Sequence, residues 1–273
     1  MKIAKAAKIG AISAIAAIGI APFGASAGNL VEQGVIAFGS DLTYAPFAYM
    51  DEGKPAGFDV EIAEAIAGRL GLDAKWVDTR FAALIPGIRA GHFDAVISAL
   101  YVTEERQKVL SFVPYTKAGS SILVMTAADD KPATVTDLCG KAVSSIRGAS
   151  WTPKLAAVAA EQCKGATIEV REFDTDAQAL QAMRSGAVAA QVADNLIAAE
   201  AVRRNPAEFV VSSSEVFFPV LVGIAVLPDN KGLLADIARA FGEIRADGTY
   251  ESLRAKYDMA PVSDAEIAEI SGL

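Results

Sequence analysis

Histidine and cysteine are nearly absent from this chain of 273 residues, and the shortage excludes much chemistry at once. His92 is the single histidine, set in the turn Ala90-Gly-His-Phe93, where solvation is the plain reading. Zinc needs three or four His, Cys or carboxylate ligands, and the chain lacks the residues for a usual site. Cysteine occurs only at positions 139 and 163, without the C-x-x-C spacing of a dithiol redox catalyst. A G-x-S-x-G nucleophile elbow and a phosphate-binding P-loop are missing too. No catalytic residue, metal or cofactor is therefore expected. Positive charge is also short: 25 basic side chains against 33 acidic ones, net −8, which argues against nucleic acid and anionic membranes as partners.

Long apolar runs are lacking after the first 27 residues. Those begin with Lys2, Lys5 and Lys8, continue as an apolar stretch over 9–20, and end on Ala25-Ser26-Ala27. A basic start, a short apolar centre and an A-x-A site make a secretory signal. The apolar stretch falls short of the roughly 20 residues that a membrane span requires. No cysteine follows it to carry a lipid. Cleavage after Ala27 and release into the periplasm are expected. Removing those residues with their three lysines leaves 246 residues carrying 22 basic and 33 acidic groups. In an oxidising compartment an even count of cysteines favours pairing, so a Cys139–Cys163 disulfide is expected.

What remains is an alternation of strands and helices. Apolar runs at 35–39, 75–77, 95–98 and 122–125 read as strands. Helices are expected over 59–70, where Ile62, Ile66 and Leu70 recur at i, i+4, i+8 and Gly71 stops the run, and over 81–90. A second series follows: strand 142–145, helix 152–162, strand 167–170, helix 175–184, strand 189–193 and a helix to 204. The run 220–226 can re-enter the first sheet, and helices over 231–247 and 249–257 close the chain. The pattern implies an α/β fold of two lobes, each a mostly parallel sheet flanked by helices.

Polar and aromatic residues of interest gather at strand carboxyl ends, where ligands of α/β sheets sit. They are Asp41, Tyr44, Phe81, Ser98, Arg106, Ser150 and Asp194. The stretch 93–106 concentrates them: Ser98, Tyr101, Thr103 and Arg106 cluster where a strand meets a helix start, a setting for an anion. Each has a bland alternative. Asp41 and Asp194 can be caps, Phe81 a core ring, and Arg106 a solvated helix residue. Together they offer one cation, two anions and two aromatic faces, which complements a free amino acid. Its carboxylate can take a guanidinium fork and its ammonium a carboxylate.

Motifs in order along the chain carry a resemblance: GSDLTYAPF at 39–47, GFDVEIAEAI at 57–66, LIPGI at 84–88, GHFDA at 91–95 and TEER at 103–106. DLCGK at 137–141, SGAVAA at 185–190 before Asp194, VGIA at 222–225 and DGTY at 247–250 follow. In these the chain resembles the periplasmic amino-acid-binding proteins of ABC importers, extracellular solute-binding proteins of family 3. The resemblance implies two lobes, 28–117 with 221–273 and 118–220, joined by hinge crossings near 115–119 and 218–222. It implies Arg106 as anchor of the ligand carboxylate with the backbone near Ile146 and Ser150. Asp194 would take the ammonium with the backbone of Ser98 or Ala99. Tyr44 and Phe81 would sandwich the ligand side chain, and Asp41 would line the pocket. Asp59 could reach longer cationic ligands. The expected partners are a small amino acid and an inner-membrane permease, with the receptor a monomer. Two residues depart from the family pattern: Tyr101 stands where Ser or Thr is usual, and Arg147 replaces a small or polar residue. Arg147 either meets a second anionic group or faces solvent. The competing reading is an enzyme similar to the periplasmic cyclohexadienyl dehydratases, with Asp41 or Asp59 as its acid; a separate ligand-sensing subunit is a third.

Overall fold

The computed structural model describes residues 30–272, so the expected export signal lies outside the described residues. The chain runs β1 (Val35–Ser40), β2 (Thr43–Tyr44), β3 (Ala48–Asp51), β4 (Lys54–Ala56), α1 (Phe58–Leu70), β5 (Asp73–Asp78) and, after a 3-10 turn at Phe81–Ala83, α2 (Leu84–Arg89). Next come β6 (Ala95–Val96), α3 (Glu104–Gln107), β7 (Ser111–Met125), β8 (Ala142–Ile146), α4 (Thr152–Gln162), β9 (Glu169–Phe173), α5 (Asp176–Arg184), β10 (Ala190–Asp194) and α6 (Asn195–Arg204). The last elements are β11 (Phe209–Val211), β12 (Phe217–Val226), α7 (Lys231–Ala246), α8 (Thr249–Tyr257) and α9 (Asp264–Ser271).

Two three-stranded parallel groups, β5-β1-β6 and β10-β8-β9, stand at opposite ends of one ribbon. Between them run the long antiparallel strands β12 and β7, and β11 adds to β7 on the edge opposite β10. β7 is far longer than the four residues its apolar pattern suggests. Pro114 interrupts that pattern but sits opposite Gly223 at a shift in register, where a missing N–H is tolerated. The chain thus crosses from one sheet to the other and back on continuous strands.

Each group is packed on both faces, as buried parallel strands require. On β1, Ile36 and Phe38 pack with Ile62 and Ile66 of α1 and Ile237 and Phe241 of α7. Ala37 turns the other way, to Leu84 and Ile88 of α2. In the second group Ala193 and Leu123 pack with Met183, Ala198 and Phe209, while Val143 and Val192 face the cluster holding Leu155 of α4. Gly71 ends α1 in the left-handed region, as expected. The expected strand over 95–98 and the helix from Thr103 are both short: β6 holds two residues and α3 four. α9 and the small β2-β3-β4 sheet lie in stretches with no clear periodicity. Cys139 and Cys163 form the expected disulfide, Cα atoms 5.3 Å apart. Among the described residues no helix is long and apolar enough to cross a membrane.

Candidate functional site

The carboxyl ends of β1 and β6 in one lobe, and of β8 and β10 in the other, deliver the site. A small cavity there is lined by Tyr44, Phe81, Ala99, Tyr101, Arg106, Ile146, Ala149, Ser150 and Trp151. Its free volume, about 10 Å3, is the room of one water molecule. A larger guest does not fit this arrangement.

Arg106 is the only cation on the wall and is buried to 9% exposure. Its two terminal nitrogens donate to the Tyr101 carbonyl at 2.9 Å and the Gly148 carbonyl at 3.2 Å, the second across the lobes. Three of the five guanidinium N–H groups are left for a ligand. Burial lowers its pKa to about 10, and its Cζ lies 5.5 Å from the centre of the Phe81 ring. α3 is too short to serve as an anion site by its own N–H groups: Thr103 caps it, its hydroxyl receiving the Arg106 N–H at 3.3 Å. The side chain of Arg106, not a helix terminus, brings the positive charge to the cavity wall.

Asp194 ends β10 and caps α6, its Oδ1 accepting the Leu196 N–H at 2.8 Å. The Tyr101 hydroxyl meets Oδ2 at 2.6 Å. Burial raises the Asp194 pKa to about 6, against the Tyr101 and backbone hydrogen bonds that lower it. Gly119 of β7 ties the two together, its N–H donated to Asn195 and its carbonyl 2.8 Å from the Tyr101 hydroxyl. A Cβ at Gly119 would stand 2.4 Å from Val216 Cγ1 and 3.0 Å from the Phe217 carbonyl oxygen, so a side chain there would have to displace the Val216 side chain.

The remaining predicted residues divide. Tyr44, Phe81, Ala99, Tyr101, Ile146 and Ser150 reach the cavity wall. Ser98 sits behind it, its hydroxyl receiving the Asp41 N–H at 3.0 Å. Ala99 has a positive φ of 47° and gives its N–H to Asp59 at 2.8 Å, so that N–H is not free for a ligand. Asp59 also accepts from the Tyr115 hydroxyl at 2.7 Å, and burial still carries its pKa to about 7. Asp41 does not line the cavity. Its carboxylate takes Arg80 at 2.7 Å, the Thr43 hydroxyl at 2.7 Å and the Phe81 N–H at 2.9 Å, which fixes the loop presenting Phe81. Arg147, for which both a ligand contact and a solvent-facing position are expected, turns outward, its guanidinium donating to Asp174 at 2.9 Å and to the Glu172 carbonyl at 3.3 Å.

Trp151 and Ala149 line the cavity without having been foreseen. Trp151 lies one residue past the loop singled out in the sequence. What aims it is the bond from its Nε1 to the Ser145 hydroxyl at 2.8 Å, which no pattern shows. Arg80, partner of Asp41, was likewise hidden in a loop.

Two α/β lobes joined by a pair of crossing strands, with a buried cation and a buried anion at their junction, define a hinged small-molecule binding protein. The chain belongs to the bacterial extracellular solute-binding proteins, family 3, whose model matches residues 36–260. It is 30% identical over 229 residues to the lysine/arginine/ornithine-binding periplasmic protein of Escherichia coli strain K12, covering 81% of this chain and 86% of that one. An ancestral arginine-binding protein bound to glutamine is 35% identical and superposes with a TM-score of 0.76, covering 83% of this chain and 98% of the other. The ancestral amino acid-binding protein AncCDT-1, a precursor of cyclohexadienyl dehydratase, is 31% identical with a TM-score of 0.72, covering 82% and 95%.

Proposed function

We propose that this chain is a non-catalytic receptor that captures a zwitterionic amino acid or close analogue in the periplasm and hands it to the permease of an ABC importer. The observation that carries the reading is Arg106, a buried guanidinium on the cavity wall with no carboxylate partner among the described residues and three N–H groups outside its two bonds to carbonyls. A ligand carboxylate supplies what it lacks. Asp194, on the opposite lobe, gives the negative charge for the cationic end. Tyr44 and Phe81, ring centres 6.5 Å apart, flank the ligand side chain.

The two lobes are taken as 28–117 with 221–273 and 118–220. The long pairing of β7 with β12 supports crossings at those points. The periplasmic relatives support the compartment, and cleavage after Ala27 follows from the signal pattern. The receptor acts as a monomer towards its permease. The dehydratase reading is weaker because an acid is needed within reach of the substrate. Asp41 is held by Arg80, Thr43 and Phe81, Asp59 by Tyr115 and Ala99, and neither lines the cavity. A thermal-shift screen over amino acids, their analogues and small carboxylates tests the reading. A ligand at 100 times its Kd stabilises by about 2.7 kcal/mol. Zwitterions that leave the melting curve unmoved, together with turnover of prephenate or arogenate, would overturn it.

A further inference from the structure

We infer that the residues lining this cavity, once parted to admit a guest, suit a carboxylate whose cationic nitrogen carries methyl groups in place of N–H groups, an N-methylated or quaternary amino acid of the betaine type. The inference rests on the reading of Arg106 as carboxylate anchor and names the ligand class of that same site. Four aromatic side chains line the cavity, Tyr44, Phe81, Tyr101 and Trp151. They form two pairs, Tyr44 with Phe81 at 6.5 Å and Tyr101 with Trp151 at 5.6 Å between ring centres. Tyr101 comes from one lobe and Trp151 from the other, so closure assembles the second pair.

The polar atoms of that second pair are tied into the protein. Trp151 Nε1 donates to Ser145, and the Tyr101 hydroxyl lies between Asp194 and the Gly119 carbonyl. What they present to the cavity is ring surface. A ring face attracts a cation without needing a donor from it. Asp194 is not among the lining residues, its Oδ1 already accepts from Leu196 and its Oδ2 from Tyr101, and no other carboxylate is on the wall. A primary ammonium would shed its water and find few side-chain acceptors beyond the hydroxyls of Ser150 and Tyr44, and an unmet buried donor is costly. A quaternary nitrogen has no donor to leave unmet. The charge of Asp194, one hydroxyl behind the wall, still favours a cation there.

Calorimetry on the full chain with two matched pairs, glycine against glycine betaine and proline against proline betaine, plus arginine, reads the inference directly. The methylated member of each pair is expected to bind at least tenfold more tightly than its parent. Trp151→Leu, which keeps bulk but removes the π face, is expected to lose at least tenfold for the betaines. Tyr101→Ser frees Asp194 and is expected to reverse the order within each pair. Parents or arginine binding as tightly as the betaines, with a dependence on Arg106, overturns the inference and leaves the receptor reading standing. No heat from any of the five ligands overturns both.

Discussion

The Tyr101 hydroxyl lies 2.6 Å from Asp194 Oδ2 and 2.8 Å from the carbonyl oxygen of Gly119, so a group with one proton stands between two acceptors. Both contacts are satisfied together when Asp194 is protonated, donating to the phenol while the phenol donates to Gly119. Burial, which raises Asp194 to about 6, favours that arrangement at mildly acidic pH. The Tyr101 hydroxyl thus bridges the lobes, linking its own to Asp194 and Gly119 of the other.

Removing the phenol tests this link. Tyr101→Phe leaves the ring against Trp151 but strips Asp194 Oδ2 and the Gly119 carbonyl of their partner. An unpartnered buried polar group costs about 1–3 kcal/mol. Chemical denaturation of the variant is expected to show a loss in that range, greatest above pH 6, where Asp194 is charged. A variant as stable as the parent across pH 5–8 would remove the bridge from consideration.

Proton release on binding is the second expectation. A ligand cation brought close to Asp194 favours its charged form and lowers its pKa from about 6. At pH 6 binding should release a fraction of a proton, and at pH 8, where Asp194 is already ionised, almost none. Titration calorimetry in buffers of different ionisation enthalpy measures this count. Equal release at both pH values would contradict it.

Asp59 gives a pH effect on stability with a definite sign. Its pKa rises from 3.8 to about 7 on folding, chiefly by burial. The folded state therefore holds a proton that the unfolded chain releases near pH 4, and the associated stability is lost as pH rises through 7. Between pH 5 and 8 the parent should lose about 2–3 kcal/mol relative to Asp59→Asn. The asparagine can keep both bonds, its oxygen accepting from Ala99 and its amide donating to the Tyr115 hydroxyl. Parallel pH profiles for parent and variant would show that Asp59 does not titrate in this window.

How much of this was legible in the sequence depends on what each feature rests on. Helices with a clear period and stop, such as α1 ended by Gly71, could be read because spacing and residue type carry the signal, and Arg106 and Asp194 stood out by charge at strand ends and by the family resemblance. β7 could not be read at full length, because Pro114 and Gly119 look like breaks until the register shift opposite Gly223 absorbs the first. Arg147 and Trp151 sit on one loop, and nothing local says which turns inward. That is settled by partners far away in sequence for Arg147, Asp174 and Glu172, and by Ser145 for Trp151.

The disulfide separates stability from binding. Cys139–Cys163 closes a loop with a sequence separation of 24, for which chain entropy gives about 3 kcal/mol. It ties the segment before β8 to the end of α4, while the cavity residues Ile146, Ala149, Ser150 and Trp151 lie at the opposite ends of those elements. A double Cys→Ser variant is expected to unfold at lower denaturant yet bind ligand within about threefold of the parent, the remaining packing of Leu155 and Val143 keeping α4 on its sheet. A large affinity loss in a folded variant would mean that the bond also sets the geometry of the loop bearing Trp151.

Arg106 should separate the two quantities in the opposite sense. Its guanidinium is buried, its pKa is lowered to about 10 by that burial, and its bonds within the chain go to carbonyl oxygens only. A cation in that position costs desolvation that no paired carboxylate among the described residues offsets. Arg106→Ala is therefore expected to melt within a few degrees of the parent. Binding should suffer far more, since removing one member of a desolvated charge pair costs about 2–5 kcal/mol. The affinity for any carboxylate ligand should fall at least about thirtyfold by calorimetry, as 1.4 kcal/mol is tenfold. Arg106→Lys keeps the charge but not the planar fork that spans Tyr101, Gly148 and a carboxylate at once, so it should recover only part of that loss. Unchanged affinity in Arg106→Ala would move the carboxylate anchor, and with it the ligand, elsewhere in the protein.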